Sequence, residues 1–425
     1  VYQNIIMSFV YQIGNLTIRS DPLDDLCDNV VRDFLEESKN NYPNNDASNV
    51  SGKLTSLEQE ALGLFNNGEY EKSISKFKKI IETSKNPLSG YYYKGLCFFR
   101  LEEYKNAIHD FTKVIEIDPN YSSAYGFRGD SKYYLKNFES AIDDFTKALE
   151  IDPNNTYTLN MRGCAKHRLG KINQSINDYY GAISDYTKAF EIDSKYLSPI
   201  SNRGIAKYEL SDYEGAIHDL TKAIEIDSKD PVIFSIRGES KYNLKNFLGA
   251  IDDFTKALEI LPKNQDYFLN RGLSKAAYKD YQGAIDDYTN AIEIDPKDAG
   301  LFLNRGTSKY YLNDFLGSID DYTKAIEIDP KYELSFMNRG LSKEAIKDYQ
   351  GAIKDYTKAI ELNSNEFKTI FRRASVKKIL EDYKGAIEDY SIALEIQPNL
   401  DCLINRGLCK YYLNDHLSAI DDYTR

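Results

Sequence analysis

Tryptophan is absent from this 425-residue chain, and histidine, cysteine and methionine are scarce, with four, five and three residues. The five cysteines are Cys27, Cys97, Cys164, Cys402 and Cys409, and they form no CxxC pair and no disulfide-framework spacing. We therefore predict small core thiols in a reducing compartment, the cytoplasm. Neither HExxH, GxxxxGKS/T, GxSxG nor a glycine-rich phosphate loop occurs. The sequence thus predicts no enzyme, with no catalytic residue, no metal and no cofactor.

Basic charge and long apolar runs are lacking as well. The formal net charge is −12 and the isoelectric point is near 5.1. Nucleic acid is therefore disfavoured as a partner, because proteins that bind it present a basic face. The apolar opening, residues 1–18, is interrupted by four amide side chains and has no cationic start. It predicts neither a membrane span nor a signal peptide.

The chain does contain one unit of about 34 residues, repeated eleven times. Its clearest copies read NRGLSKAAYKDYQGAIDDYTNAIEIDP (270–296) and NRGTSKYYLNDFLGSIDDYTKAIEIDP (304–330). We number each copy so that one small residue is position 8. In repeats 1 to 11 it is Ala61, Gly95, Gly129, Gly163, Gly204, Gly238, Gly272, Gly306, Gly340, Ala374 and Gly407. A fixed period predicts a stacked array rather than one closed globule.

Each repeat reads as two helices. Apolar residues at positions 4, 14, 17, 21, 24, 28 and 30 keep the 3–4 spacing of a helix within each half. A polar pair such as Lys279-Asp280 marks the turn between the halves, and Asp-Pro, as at 295–296, ends the second helix. The recurring glycine at position 8 costs about 1 kcal/mol in a helix. We therefore predict that it permits close approach of the two helices.

The pattern resembles the tetratricopeptide repeat, with Gly at 8, Ala at 20, an aromatic residue at 24, Ala at 27 and Pro at 32. The resemblance covers residues 54–425, although the family's Trp at 4 and Leu at 7 are replaced here. It implies an all-α fold, an α-α superhelix or solenoid of about eleven helix-turn-helix repeats with a concave groove. Residues 1–53 stand apart, as an amphipathic helix up to Lys39 and a polar linker. Thr55 and Glu58 form a capping-box pattern at the start of repeat 1.

Charges at positions 7 and 23 are predicted to pair within each hairpin. Ten repeats carry Arg or Lys at position 7 and Asp at position 23, with Asp178 or Asp185 as the partner in repeat 4. Repeat 1 reverses both signs, with Glu60 at position 7 and Lys76 at position 23. A paired reversal indicates that the two positions face each other, although coincidence in a degenerate first repeat is the alternative.

Repeat 4 has 41 residues, because SINDYYG (175–181) is followed by the similar AISDYTK (182–188). Seven residues make almost two helical turns with a phase drift of about 20°. We therefore predict a second helix lengthened by two turns, with stacking kept on both sides. The extension is either a tolerated slippage or a protrusion that partners recognise.

The candidate site is the groove, which the resemblance lines with first-helix positions 2, 5, 6, 9, 12 and 13. Position 6 carries an asparagine in five repeats: Asn202, Asn270, Asn304, Asn338 and Asn405. These amides can form hydrogen bonds to a peptide backbone, and the row resembles the asparagine ladder of the O-GlcNAc transferase repeats. The alternative is that each amide bonds within its own hairpin. Positions 12 and 13 add aromatic residues, which are favoured interface anchors: Tyr133, Tyr134, Tyr208, Tyr242, Tyr310, Tyr311, Tyr411 and Tyr412. Of these, Tyr310 and Tyr311 enter the predicted site.

Repeat 10 interrupts the acidic background with Lys368 and Arg372 at positions 2 and 6, and with three further cations. With Asn338 they resemble the last part of the carboxylate clamp by which some tetratricopeptide domains hold chaperone tails. The clamp's first part is missing, since Leu303 and Thr307 stand in its place. An acidic or C-terminal peptide is the expected ligand. The site residues Lys368 and Arg372 should then have no carboxylate partner within the protein.

Three functions are compatible with this pattern. The first is a non-enzymatic scaffold that binds peptide segments or partner domains in the groove. The second is the substrate-recruiting part of a larger enzyme, since the chain begins at Val1, stops at Arg425 within a helix, and is expected to be a fragment. The third is an assembly factor at a membrane, with an anchor upstream.

Overall fold

The computed structural model describes residues 55–227 and 229–424. The amphipathic helix and linker predicted for residues 1–53 lie outside this range. The described residues form twenty-two helices and no strand, which confirms the all-α prediction and the pairing of helices into eleven hairpins. A capping box at Thr55, with Glu58 as its partner, opens the first helix as predicted.

Each repeat contributes a first and a second helix. In repeats 1 to 11 the pairs are Ser56–Asn66 with Tyr70–Thr83, Leu88–Arg100 with Tyr104–Ile117, Ser122–Tyr134 with Phe138–Ile151, Thr156–Asn173 with Ile176–Ile192, Leu197–Glu209 with Tyr213–Ile226, Pro231–Asn243 with Phe247–Ile260, Gln265–Ala277 with Tyr281–Ile294, Ala299–Tyr311 with Phe315–Ile328, Glu333–Ala345 with Tyr349–Leu362, Phe367–Ile379 with Tyr383–Ile396, and Leu400–Tyr412 with His416–Thr424. The described chain divides into two compact units, residues 55–240 and 241–424. Within each unit, helices that follow one another in sequence pack together, as Ser122–Tyr134 does against Phe138–Ile151 and Gln265–Ala277 does against Tyr281–Ile294.

The glycine at position 8 packs against the aromatic residue at position 24 of the same hairpin. A Cβ atom on Gly272 would lie 2.7 Å from a ring carbon of Tyr288, and one on Gly340 would lie 2.6 Å from a ring carbon of Tyr356. Both rings are fully buried. This confirms the prediction of close approach, because any larger side chain at position 8 would push the aromatic ring out of the core.

The turn between the two helices uses a left-handed residue followed by an acidic or amide N-cap. In repeat 7, Lys279 has φ +71°, and the Asp280 carboxylate accepts from the backbone N–H of Gly283. In the described chain, position 15 adopts positive φ in ten of the repeats, and of these only repeat 1 places a glycine there, Gly68. The second helix ends at Ile294, and Asp295, the residue before a proline, is its C-cap as predicted.

The charge pair between positions 7 and 23 is confirmed. Asp287 accepts from Arg271 Nε at 3.0 Å and from Arg271 Nη2 at 2.7 Å, which is a two-bond fork. Seven further repeats have the same fork: Arg128–Asp144, Arg162–Asp185, Arg203–Asp219, Arg305–Asp321, Arg339–Asp355, Arg373–Asp389 and Arg406–Asp422. The reversed pair of repeat 1 also forms, with Lys76 Nζ 2.6 Å from Glu60 Oε1.

Two further groups complete each fork. Lys275, at position 11, places Nζ 2.8 Å from Asp287 Oδ2. Arg271 Nη1 donates to the Thr255 hydroxyl at 3.2 Å. Thr255 belongs to the preceding repeat and itself donates to the Ile251 carbonyl of its own helix. The fork therefore bonds the two helices of one hairpin and also bonds that hairpin to the one before it.

The number of cations decides how the buried carboxylate titrates. Burial opposes ionisation of Asp219, but hydrogen bonds from Arg203 and Lys207 outweigh it and lower the pKa of this carboxyl. Burial raises the pKa of Asp110, whose only ion-pair partner in the described chain is Lys94. Repeat 2 thus holds its buried carboxylate with one cation, where repeat 5 uses two.

The prediction for repeat 4 was wrong in one respect. The first helix gains most of the insertion, with 18 residues, and the second has 17, whereas their counterparts in repeat 7 have 13 and 14. An antiparallel hairpin must turn near its midpoint, so extra residues lengthen both arms. Gly170 packs against Tyr179, one heptad beyond the Gly163–Tyr186 contact. The extension therefore repeats the hairpin's own packing.

Stacking continues on both sides of repeat 4, as predicted. Arg162 Nη1 donates to the Thr146 hydroxyl of repeat 3, and Arg203 Nη1 of repeat 5 donates to the Thr187 hydroxyl. Asp185, rather than Asp178, is the fork partner of Arg162. The AISDYTK copy therefore keeps the register of the array, and the other copy lies at the hairpin tip.

Candidate functional site

The position-6 asparagines fall into two groups. Asn202 is fully buried and donates through Nδ2 to Asn160 Oδ1 of repeat 4 at 3.2 Å. Asn405 accepts from Lys378 Nζ at 2.6 Å and donates to its own helix at the Asp401 carbonyl. Both amides bond within the protein, but Asn202 bonds to the preceding repeat rather than within its own hairpin, and Asn405 bonds both to the preceding repeat and to its own helix.

Asn270, Asn304 and Asn338 occupy position 6 in three successive repeats, 7 to 9. Asn304 is partly exposed, whereas Asn270 and Asn338 are buried, with 3% and 8% of their surface exposed. Among the described residues, Asn338 Oδ1 has no hydrogen-bond donor. An unbonded buried amide oxygen costs about 1–3 kcal/mol, so this side chain is the member of the row that most needs an external donor.

Tyr310 and Tyr311 end the first helix of repeat 8 and pack against other rings. Tyr311 stacks on Tyr281 of repeat 7 with ring centroids 4.8 Å apart, and Tyr310 makes an edge contact with Phe315. Burial raises the pKa of Tyr310, and the charges of Arg372 and Glu344 act on it in opposite directions. Tyr310 therefore lies beside both of these residues.

Arg372 has an intramolecular carboxylate partner, contrary to the prediction. Its Nη1 lies 3.4 Å from Glu344 Oε1 of repeat 9. The other oxygen of Glu344 accepts from the buried hydroxyl of Tyr356 at 2.8 Å, and burial together with Glu344 raises the pKa of Tyr356. We call Tyr310, Glu344, Tyr356 and Arg372 the repeat 8–10 cluster.

Most of the other cations in repeat 10 belong to structural networks. Arg373 and Lys377 both bind Asp389 of their own hairpin, and Lys378 donates to Asn405. Lys368 is partly buried and lies one turn before Arg372 on the same helix. Three of the five cations in this patch therefore have structural partners of their own, and Arg372 has one in Glu344.

Sequence reasoning missed Glu344 and Tyr356. Position 12 is aromatic in most repeats, and Glu344 is the acidic residue that replaces it in repeat 9, so the departure was visible. It also missed Asp130 in repeat 3, which is fully buried and accepts one hydrogen bond, from the Tyr157 hydroxyl at 3.1 Å. Burial raises the pKa of Asp130 to about 8.

The remaining chemistry of the described residues is limited. Cys97, Cys164, Cys402 and Cys409 are buried free thiols, and burial raises the pKa of Cys97 and Cys402 to about 12. No group of three metal-ligating side chains occurs within the described part of the chain. None of its helices is long and apolar enough to span a bilayer.

Profiles of the tetratricopeptide repeat match residues 89–121, 122–155, 164–196 and 335–366. Comparison with curated protein sequences gives no match. Among solved structures, the chain resembles the C-terminal part of a TPR repeat-containing protein from Cytophaga hutchinsonii, with 21% identity, a TM-score of 0.50, and coverage of 58% of this chain and 98% of that one.

Two further structures are similar to parts of the chain. YrrB, described as a TPR protein with an unusual peptide-binding site, is 22% identical over 45% of this chain and 95% of its own, with a TM-score of 0.40. Yeast Tom70 is 16% identical over 86% of this chain and 90% of its own, with a TM-score of 0.39. Identities this low speak to the fold alone. The 34-residue period, the Gly–aromatic hairpin packing and the matching repeat profiles together identify tetratricopeptide repeats in this chain.

Proposed function

We propose that the chain is a protein-interaction scaffold that binds an acidic peptide on the first-helix face of repeats 7–10. The observation that carries the proposal is one row of side chains at the same position in four successive repeats: Asn270, Asn304, Asn338 and Arg372. Three amides followed by a guanidinium suit an extended backbone that ends in a carboxylate.

The amides supply the sequence-independent part of binding. Each can donate to a peptide carbonyl and accept from a peptide N–H. Asn338 Oδ1, which has no donor among the described residues, would gain a hydrogen bond from such a backbone. Because the amides contact the peptide main chain rather than its side chains, this part of the row is expected to bind peptides of different sequence with similar affinity.

The cations supply the selective part. Lys368 and Arg372 lie one turn apart on the helix Phe367–Ile379, so both can reach acidic groups at one end of a peptide. Charge-assisted hydrogen bonds contribute about 1.5–3 kcal/mol each. The chain is acidic overall, with a formal net charge of −12, so a local pair of cations is needed to hold an acidic ligand.

The test is a Lys368→Ala, Arg372→Ala double variant, titrated with a fluorescent twelve-residue peptide that ends in three acidic residues. We expect affinity to fall by about tenfold or more, since 1.4 kcal/mol corresponds to tenfold. The matched control is Lys331→Ala, Lys354→Ala, which removes two exposed lysines of repeats 8 and 9 and should bind as wild type.

Two results would overturn the proposal. One is equal affinity of wild type and the double variant for the acidic peptide. The other is an equal loss of affinity in the control variant, which would show that net charge rather than this site attracts the peptide.

A further inference from the structure

We infer that the interface between repeats 3 and 4 is a pH-sensitive hinge, which is closed while the Asp130 carboxyl group is protonated and opens when that group is ionised. The first helices of the two repeats, Ser122–Tyr134 and Thr156–Asn173, meet at this interface. Asp130 lies at position 9 of repeat 3, and its carboxyl group accepts from the Tyr157 hydroxyl of repeat 4 at 3.1 Å. This bond therefore joins the two repeats through a group that can gain or lose a proton. The hinge lies in the unit 55–240 and does not depend on the peptide site of repeats 7–10.

The Asp130 carboxyl group is buried without a cation beside it. The residue is fully buried, and its Oδ1 accepts no hydrogen bond from the described residues. Asp144, the buried aspartate at position 23 of the same repeat, instead has Arg128 at 2.7 Å and Lys132 at 2.6 Å. A buried carboxylate without a counter-charge is costly, so the protonated form is favoured. Burial accordingly raises the pKa of Asp130 to about 8, and the Tyr157 hydrogen bond opposes this rise only in part.

The charged groups on the surrounding helices bind other partners. On the helices that pack against Ser122–Tyr134, and on that helix itself, the buried or half-buried pairs are Lys94–Asp110, Arg128–Asp144, Lys132–Asp144, Arg162–Asp185 and Lys166–Asp185. On Thr156–Asn173, Arg168 donates to the Tyr133 hydroxyl, and the His167 ring packs against Tyr179. None of these groups acts on the pKa of Asp130, which responds to burial and to Tyr157.

The interface is also loosely packed beside Asp130. Gly126 is buried one turn earlier on the same helix, yet a Cβ atom there would meet a single atom within 4 Å, Thr158 Oγ1 at 3.9 Å. Repeats 7 and 9 place buried leucines at position 9, Leu273 and Leu341. Repeat 3 therefore has a polar group and free space where these repeats have an apolar side chain. Such an interface opens more readily than a close-packed apolar one.

Ionisation of Asp130 favours the open interface. The pKa of an aspartate in contact with water is about 3.9, whereas the pKa of Asp130 in the closed interface is about 8. The stabilising contribution of this group to the closed form is thus complete below pH ~4 and is lost as the pH rises through about 8. Between these values, the ratio of open to closed forms rises about tenfold for each pH unit.

Hydrogen exchange of the whole chain, measured between pH 6 and pH 7, tests the hinge. After correction for the intrinsic pH dependence of amide exchange, protection factors report the ratio of closed to open forms. We expect them to fall about tenfold in Ser122–Tyr134 and Thr156–Asn173 over this pH unit. Protection in Gln265–Ala277 of repeat 7, where position 9 is Leu273, should stay constant.

Three variants assign the effect to Asp130. Asp130→Asn cannot ionise, and its protection factors should not change with pH. Gly126→Ala fills the space in the interface and favours the helix, so it should raise protection at both pH values and keep the tenfold fall. Asp143→Asn is the matched control, because it removes an exposed carboxylate from the same hairpin and should behave as wild type.

Three results would overturn the inference. The first is a wild-type protection factor in repeats 3 and 4 that is the same at pH 6 and pH 7, which needs no variant to interpret. The second is an equal fall in repeat 7, which would show an effect on the whole array rather than a hinge. The third is a full tenfold fall in Asp130→Asn, which would assign the titration to another group.

Discussion

Replacing Asp287 with alanine tests the fork network at its strongest point. The Asp287 carboxylate is 2% exposed and accepts from Arg271 Nε and Nη2 and from Lys275 Nζ, at 3.0, 2.7 and 2.8 Å. Its removal leaves two cations facing each other with no counter-charge. Breaking a buried ion pair by deleting one partner costs about 3–5 kcal/mol, and we expect a loss of that size for repeat 7 and its neighbours.

The partner variant should cost less. Arg271→Ala leaves Asp287 with Lys275, an arrangement like that of Asp110 with Lys94, and we expect a loss of about 2 kcal/mol, roughly the value of one charge-assisted hydrogen bond. In the double variant only Lys275 remains, and its long side chain can extend to water. The double loss should therefore fall short of the sum by about 1–3 kcal/mol.

Urea unfolding followed by circular dichroism measures these losses, and hydrogen exchange locates them, because a repeat array need not unfold as one unit. Protection should fall in repeats 6–8 first. Glu327→Ala is the control, since Glu327 forms an exposed pair with Lys324 and should change stability by less than about 0.5 kcal/mol. A loss below about 1 kcal/mol for Asp287→Ala, or additive single losses, would refute the argument.

Two other perturbations follow from local geometry and burial. Lys279→Gly should stabilise repeat 7 by about 1 kcal/mol in urea unfolding, because Lys279 has φ +71° and a side chain costs about that much in the left-handed region. Asn313→Gly, at φ +62°, should gain less because asparagine tolerates this conformation better, and equal gains would contradict the reasoning. Asp130→Asn should remove a pH dependence of the free energy of unfolding. The pKa of Asp130 is raised to about 8 in the folded state, from about 3.9 in the unfolded state. The stabilising contribution of this carboxyl group is therefore complete below pH ~4 and is lost as the pH rises through about 8. The variant should thus unfold at higher urea than wild type at pH 8.5 and lose this advantage at pH 4, and parallel profiles would refute the assignment.

The sequence predicted the hairpins and the ion pair because its repeats can be compared with one another. Eleven copies show which positions vary together, and the reversal at Glu60 and Lys76 identified two positions that touch. The same comparison contained the lysine at position 11 and the threonine at position 25, but no repeat places an acidic residue at either position, so no charge reversal marked them as partners. The division of the repeat 4 insertion between two helices needed the antiparallel geometry as well as the heptad period.

The site was less predictable than the fold. Asn202 and Asn338 both occupy position 6. Asn202 nevertheless donates a hydrogen bond to Asn160, whereas the side-chain oxygen of Asn338 has no donor among the described residues. The Glu344–Arg372 contact joins residues at unlike positions of adjacent repeats, and it depends on side-chain rotamers that periodicity does not encode. A repeat pattern predicts which face of a helix a residue occupies. It does not predict whether a neighbouring side chain already forms a hydrogen bond or ion pair with that residue.

The bond from Arg271 to Thr255 of the preceding repeat has a consequence for how such a chain can grow. A duplicated copy fits anywhere in the array if it presents a hydroxyl at position 25 and an arginine at position 7, and Ser391 serves Arg406 as well as a threonine would. The hairpin tips do not take part in these arginine–hydroxyl hydrogen bonds. Repeat 4 has seven extra residues at its tip, and its hydrogen bonds to repeats 3 and 5 are still formed. The tips are accordingly the places where an engineer could graft a loop or a second domain, whereas an insertion between repeats would separate each arginine from its threonine.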